Sequence, residues 1–449
     1  MATIYRNRME EIAVRKFLKA PQPILDACKE KEDVRVAVED IIAAVREKGD
    51  AAIKFLSQKI DGVEDLHIQV PSEEVARAYR LVPDSVVEDL RFAARQIRNF
   101  ARAQLESIRP LEVEILPGVH LGHRVIPLAS CGAYVPGGRH PLPSSALMSI
   151  IPARVAGVKR IVACSPPSRD IRGINPVTLV AMDIAGASTI YAIGGAQAIA
   201  AMAYGTETVE AVDLIAGPGN QYVTEAKRQV SGDVGIDFLA GPSEVLIIAD
   251  ESANPAYVAC DLLAQSEHDP QARGILVTTS EELGRKVMCE VESKLGGLST
   301  ADVARASWEN NGQVIAVENI EEAIDLANEI APEHLELQVE NPEGLIEYLR
   351  NYGSLFIGGL SAEVFGDYAS GTNHILPTMR SSRFTGGLWV GTFLKVLTHQ
   401  RLDLRGVKQI APVAARLAEI EGLIAHKSAA TIRIEDQTQG AGADVEGKG

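Results

Sequence analysis

The chain has 449 residues, is 46% hydrophobic, and sets 44 Lys and Arg against 60 Asp and Glu for a formal charge of −16. That length buries large cores and predicts two or more domains, while the acidic balance excludes the basic footprint that wraps a nucleic-acid backbone. Five cysteines, Cys28, Cys131, Cys164, Cys260 and Cys289, stand apart without CxxC spacing, as expected of a reducing compartment. The first residues lack an apolar secretory core, and nowhere do about 18 uncharged apolar residues run together. A cytoplasmic protein with neither membrane nor nucleic-acid partners is expected.

In chain order, residues 1–30 are charged and locally amphipathic and read as an N-terminal helical arm. From Val34 to about Phe100, apolar residues return every three or four positions, the helical period. After residue 122 short apolar runs alternate with helical segments: HRVIPLA, RIVACSP, TIYAIGG and VDLIAG. The intervening SSALMSIIPARVAG and NPVTLVAMDIAG each close on a glycine, as a helix C-cap does. This alternation predicts a parallel sheet covered on both faces, a nucleotide-binding α/β unit over residues 132–242. EVLIIAD, YVACDLLAQSEH, GILVTTS, GQVIAV and SLFIGG form a second α/β series. It joins the segment before residue 131, so that 31–131 and 243–388 make one discontinuous domain. Residues 389–449 form a C-terminal arm: a helical stretch, a short TIRI strand and a frayed polar tail.

The chemistry-bearing candidates lie at the edges of these elements. YVPGGRHPLPSS from Tyr134, GGAQAIA at 194–200 and GPGNQYVTEAKRQV at 217–230 have glycine turns next to a strand or helix. Such turns serve either anion binding at a helix N-terminus or ordinary strand-to-helix stereochemistry, and none is GxGxxG. Asn220 suits a helix cap as well as a cofactor contact. In LLAQSEHDP, Gln265 and His268 share one face of a predicted helix. They read either as metal ligands or as an ordinary helix end before Pro270. Glu333 and His334 are an adjacent carboxylate and imidazole suited to proton transfer, provided a turn or helix start lets them converge. GDYASGTNHILPT is a polar loop after an apolar strand, with Asp367 and His374 on either side of Gly371. Glu421 and His426 are five residues apart on a predicted helix, where a pocket wall could span them but, taken alone, a satisfied core histidine is the better reading.

Taken together, YVPGG, GGAQAIAAMAYGTE, GPGNQYVTEAKR, GIDFLAGPSEVLIIAD, DLLAQSEHDP, APEHLELQ, GDYASGTNHILPT and EGLIAH resemble, in order, the motifs of the histidinol dehydrogenase family, from about residue 34 to 433. The resemblance implies a zinc-containing, NAD-dependent homodimer that oxidises L-histidinol through the aldehyde to L-histidine. It also implies two incomplete Rossmann-like domains with small N- and C-terminal arms exchanged between subunits. Zinc ligands are then expected at Gln265, His268, Asp367 and His426, the last from the partner subunit. The proton-handling pair falls on Glu333 and His334, substrate contacts on Ser243, His374 and Glu421, and cofactor contacts on Tyr134, Gln197 and Asn220. Two departures stand out. AQSEH carries Ser266 where the family commonly has alanine, and the stretch after NHILPT reads MRSSRFTGGLWVGTFLKVLTHQRLD. Its TGGLWVGTFLK form is similar to relatives acting on other alcohols, notably sulfopropanediol dehydrogenase, with Arg383 or Arg139 as candidate partners for an anionic group.

Overall fold

The computed structural model describes residues 16–22, 27–137 and 141–442, so Arg139, His140 and most of the expected N-terminal arm lie outside the described residues. The chain forms two units, one running to Leu105 and from Leu128 to Phe393, the other comprising Glu106–Pro127 and the chain from Leu394.

In chain order the elements are β1 (Lys16–Lys19), α1 (Ala27–Ile60), α2 (Ser72–Leu81), α3 (Asp84–Ser107), β2 (Leu111–Leu116) and β3 (Val119–Pro127). There follow β4 (Ser130–Tyr134), α4 (Pro143–Ala156), β5 (Arg160–Ser165), α5 (Pro176–Ala185), β6 (Thr189–Ala192), α6 (Gly195–Tyr204), β7 (Leu214–Ala216), α7 (Gln221–Val230) and β8 (Gly235–Ile236). Next come β9 (Glu244–Ala249), α8 (Pro255–Ser266), β10 (Arg273–Thr278), α9 (Glu281–Leu295), α10 (Ala301–Asn311), β11 (Gln313–Ala316) and α11 (Ile320–Ile330). The chain continues through β12 (His334–Gln338), β13 (Ser354–Ile357), α12 (Glu363–Tyr368), β14 (Leu394–Leu402), α13 (Leu404–Ile420) and α14 (Ile424–Gly442).

The strand-helix alternation resolves into two parallel sheets in the first unit. One has five strands in the order β6-β5-β4-β7-β8; the other has six, β1-β11-β10-β9-β12-β13, with only β1 antiparallel. Helix starts follow the sequence punctuation. Asn175 and Asn254 cap α5 and α8 through their side chains, each directly before a proline, and Gly186 closes α5 at φ 97°. The glycine within α1 has a steric reason: Gly49 adopts φ 51°, and a Cβ there would lie 2.2 Å from Glu207 Oε2, which accepts the Asp50 N–H.

The six-stranded sheet buries both faces. Val245, Ile247 and Ala249 of β9 pack with Val258, Leu262 and Leu263 of α8, while Leu246 and Ile248 join Leu335 and Leu337 of β12 on the other side. Each fully buried Val, Leu or Ile among them contributes about 1.5–3 kcal/mol. In the register between these strands, His334, Glu336 and Gln338 sit beside Val245, Ile247 and Ala249. Because side chains alternate along a strand, the face toward α8 turns from apolar to polar at β12.

The second unit holds the antiparallel sheet β14-β3-β2 and the helix pair α13 and α14. Asp403 caps α13, accepting the N–H groups of Arg405 and Gly406.

The structure departs from the sequence reading at several places. Lys16–Lys19, expected to be helical, pair with the edge strand β11, with Phe17 and Leu18 packing on opposite faces of the sheet. The expected TIRI strand lies inside α14, the helix that pairs with α13, so its β-branched composition does not set its conformation. Helix α8 ends at Ser266, so His268 stands in the following turn and not on the helix face with Gln265. The loop expected around Asp367 contains the short helix α12. Among the described residues, no helix is long and apolar enough to cross a membrane.

Candidate metal and proton-transfer centre

The polar cluster lies at the amino edge of the six-stranded sheet. Ala331 ends α11 in the left-handed region at φ 52°, and the chain turns through Pro332 into β12. Glu333 therefore sits in the turn and His334 at the strand start, an arrangement that brings neighbouring residues together when two strand positions would not. Both are buried, at 5% and 3% exposure. Glu333 Oε2 accepts the N–H of Glu244, the first residue of β9, at 2.9 Å, and lies 3.9 Å from His334 Nδ1.

Helix α12 supplies the other side. Glu363 and Asp367 are four residues apart and share a helix face. Glu363 Oε1 is 3.4 Å from His334 Nδ1, and Asp367 Oδ1 is 3.5 Å from His334 Nε2. One ligand atom from each of His334, Glu363 and Asp367 falls within 4.8 Å of the others, close enough to share a metal ion. His334 Nε2 is buried without a hydrogen-bond partner. Gln265 is fully buried near the end of α8 with its amide beside Glu363; the amide orientation that satisfies both side chains turns its nitrogen to Glu363 Oε1, 2.9 Å away.

Crowding these groups away from water changes their charges. Burial pushes Glu333 up to about 8, against the pull of His334 and of the Glu244 N–H. Burial likewise drives Glu363 well above the usual carboxylate range, with His334 opposing. For His334 burial disfavours the charge, but Glu363, Glu333 and Asp367 outweigh it and hold its pKa well above the ordinary value. Burial acts to raise Asp367, yet the imidazoles of His334, His374 and His268 carry it below its usual value.

His374, Ser243 and His268 lie near this cluster in the first unit. His374 Nδ1 is 2.9 Å from the Asp367 carbonyl and its Nε2 is 3.3 Å from Ser145 Oγ, in the first turn of α4. Part of His374 stays accessible, but protein encloses the ring and the lost solvent lowers its pKa. Ser243 is half-buried directly before β9, and its carbonyl accepts the Arg273 N–H. His268 has an exposed surface, although protein around its ring lowers its pKa, with Asp367 acting in the opposite sense. Glu421 and His426 belong to the second unit, exposed at the end of α13 and the start of α14. Ser266, the departure from the family pattern, is fully buried and donates to the Leu262 carbonyl at 2.7 Å, turned into its own helix.

The cofactor candidates gather on the five-stranded sheet. Tyr134 ends β4, and its hydroxyl accepts the N–H of Gly195, the first residue of α6, at 3.0 Å. Gln197, 1% exposed one turn into that helix, has no partner for either amide atom. Gly217 follows β7 at φ 120°, where a Cβ would come 2.1 Å from the Tyr134 carbonyl oxygen. A buried Lys227–Asp237 ion pair grips that glycine, Lys227 Nζ donating to its carbonyl and Asp237 Oδ2 accepting its N–H. Asn220 caps α7, its Oδ1 accepting from Tyr222 and Val223 N–H at 3.0 and 3.2 Å.

Sequence reasoning missed Glu363, Glu336 and Ser145. Two of them left a trace: the carboxylates of EVFGD stand at helical spacing, and HLELQ puts polar residues at every second position of a buried strand.

The fold and this centre together define a class: an α/β protein with a buried imidazole-carboxylate cluster able to hold a metal ion. The family model described as "Histidinol dehydrogenase" matches residues 26–434. A "Histidinol dehydrogenase homolog" from Shouchella clausii is 47% identical over 403 residues, 90% of this chain and 94% of that protein. "Histidinol dehydrogenase" from Methanothermobacter thermautotrophicus is 47% identical over 405 residues, with the same coverage. The crystal structure of histidinol dehydrogenase from Elizabethkingia anophelis superposes with a TM-score of 0.88 at 38% identity, covering 93% of this chain and 95% of that one. The chain belongs to the histidinol dehydrogenase family.

Proposed function

We propose that this protein is a zinc- and NAD-dependent dehydrogenase that oxidises L-histidinol through the aldehyde to L-histidine. Family membership supports the reaction, and the observation that carries it is the buried Glu333–His334 pair facing Glu363 and Asp367 at the amino edge of the sheet.

The residues suit both cofactors. The buried carboxylates of Glu363 and Asp367 accommodate a cation, and Gln265, His268 and Asp367, with His426 of a partner subunit, form a zinc-compatible set of amide, imidazole and carboxylate donors. Zinc there would supply a Lewis-acid site that offsets the carboxylate charge and orients the substrate's hydroxyl and nitrogen atoms. Tyr134, Gln197 and Asn220 form the NAD-side contacts, where the cofactor would accept hydride. The unsatisfied amide of Gln197 supports that assignment; Asn220 keeps its amide nitrogen free of the capping bonds that occupy its oxygen.

In this reading a cation at the site would offset the charge of Asp367 and Glu363 and leave His334 neutral, so that its Nε2 takes the hydroxyl proton as hydride passes from the carbinol carbon to NAD. Glu333 then takes a proton from the water that adds to the aldehyde, and a pKa of about 8 puts that carboxylate in the range where a general base works near neutral pH. The second hydride leaves the hydrated aldehyde for a second molecule of NAD, and loss of one hydroxyl proton of the hydrate gives the acid. Ser243, His374 and Glu421 hold the substrate, and Glu363 keeps the His334 ring in place through Nδ1.

The assembly we infer is a homodimer with shared sites: a Rossmann-like NAD-associated domain at 132–242, a zinc and catalytic domain at 31–131 and 243–388, and arms at 1–30 and 389–449. Exposed Ile410, Val413, Leu417 and Ile420, at helical spacing along α13, support a second copy as its partner. In mixed dimers of His268→Ala and His426→Ala subunits, activity should reappear through hybrid sites; inactive mixed dimers would remove the exchange.

A second reading has one specific observation behind it. Met379 and Arg380 are consecutive left-handed residues, at φ 51° and 67°, packed against the segment that carries Ser243: the Met379 N–H reaches Glu244 Oε1 at 3.1 Å. Arg380 Nε is buried without a partner, whereas Arg383 is exposed. A cation there favours an anionic alcohol such as 2,3-dihydroxypropane-1-sulfonate. Comparing NAD reduction with L-histidinol and with the sulfonated diol decides between the readings. A zinc-loaded enzyme that turns over neither, nor other small polar alcohols, would overturn both.

A further inference from the structure

We propose that Glu336 is a positioning residue for the metal centre: its carboxylate holds the start of α12 and so fixes Asp367 and Glu363 against the Glu333–His334 pair. The inference rests on the zinc reading above.

Helix α12 has six residues, too few to be stable alone. Its N-cap position is Ala362, which has no side-chain acceptor. The acceptor comes from another strand, for Glu336 Oε1 takes the Glu363 N–H at 3.0 Å in a buried contact. Glu336 is in turn held from behind. Gln338, two positions along β12, donates from Nε2 to Glu336 Oε2 and to Asp261 Oδ2, each at 2.8 Å. Asp261 lies one helical turn before Gln265 on α8, on the same face. One polar thread thus ties α8, β12 and α12, the elements that carry Gln265, His334 and Asp367.

Packing alone does not call for this arrangement. The strand neighbour of Glu336 is Ile247, and an aliphatic residue at 336 would continue the apolar face of β9. A carboxylate that is 2% exposed and pushed up to about 8 by burial, with Asp261 adding to the effect, is costly to keep. What it provides is an acceptor placed where α12 begins. Groups that orient metal ligands in this way typically influence metal affinity by about 10–100-fold.

The experiment measures zinc retention against a chelator in the full-length protein, alongside thermal unfolding and kcat. Glu336→Leu keeps the volume and removes the acceptor; it should release zinc about tenfold more readily and lower kcat. Glu336→Gln keeps an acceptor oxygen and should stay within about twofold of the parent, a rescue that general loss of core stability would not give. A folded Glu336→Leu protein with parental zinc affinity overturns the inference, provided Asp367→Asn loses zinc in the same assay. If Asp367→Asn holds zinc as the parent does, the zinc reading itself falls and this inference with it. Should Glu336→Leu fail to fold, Gln338→Met, which loosens Glu336 from behind, decides: weakened zinc retention supports the role and parental retention overturns it.

Discussion

The two parallel sheets of the first unit carry their polar chemistry at opposite ends of their strands. In the five-stranded sheet the order reverses between β4 and β7, and Tyr134 and Gly217 lie at the carboxyl ends there, where open α/β sheets ordinarily bind ligands. The six-stranded sheet reverses between β9 and β12, yet Glu244, Glu333 and His334 stand at the amino ends. A carboxyl-end site is built from turns, each short and local. An amino-edge site needs a helix end, two strand starts and a separate short helix brought into register, so its parts are far apart in sequence and its groups deeply buried. In the function proposed above, proton transfer belongs to one sheet and cofactor contact to the other.

The sharpest way to break that division is His334→Ala. Removing the imidazole should lower kcat by about 10²–10⁴-fold with KM for NAD unchanged in steady-state assays; a raised KM for NAD at parental kcat would place His334 on the cofactor side. Glu333→Gln comes next, with a loss of about 10²-fold when the aldehyde is supplied as substrate and a smaller loss for the first oxidation measured by single turnover. Equal losses in both steps would deny Glu333 a separate role in hydrating the aldehyde. On the other sheet, Gln197→Leu should raise KM for NAD about tenfold, the effect of roughly 1.4 kcal/mol from one lost hydrogen bond, while zinc content stays parental. A drop in zinc instead would merge the two regions into one site.

The same contrast explains what could be read from the residues alone. Strand and helix alternation, with Asn-Pro starts and glycine stops, made the α/β frame legible, since those signals are local. Glu333 and His334 were visible as a pair, but not the turn after Ala331 that lets both enter one pocket. The placement of His268 on the α8 face failed because periodicity does not mark where a helix ends when Asp269 and Pro270 follow it so closely. Glu336 was hidden by its setting: in HLELQ the polar residues look like the wet side of a half-exposed strand, and it is α8 and α12, meeting that face through Asp261 and Glu363, that take them out of water. The TIRI segment misled for the converse reason, as its β-branched residues continue α14 and take no place in the β14-β3-β2 sheet.

The smallest effect tests the cofactor candidate whose side chain already caps a helix. Asn220 Oδ1 caps α7, so any substitution mixes loss of the cap with loss of a cofactor contact. Serine and alanine separate them. Asn220→Ser keeps an oxygen for the Tyr222 and Val223 N–H groups and should leave stability nearly unchanged, whereas Asn220→Ala should cost about 1 kcal/mol in denaturant unfolding. If the amide also contacts NAD, both variants raise KM for NAD by a similar factor of a few, because both lack the amide nitrogen. If Asn220 is only a cap, KM follows stability: Asn220→Ser binds NAD like the parent, and Asn220→Ala weakens binding only as far as the loop from Gly217 loosens. The Lys227–Asp237 pair holds that glycine independently of the cap, so the loosening should be slight and a KM change shared by both variants would belong to the amide.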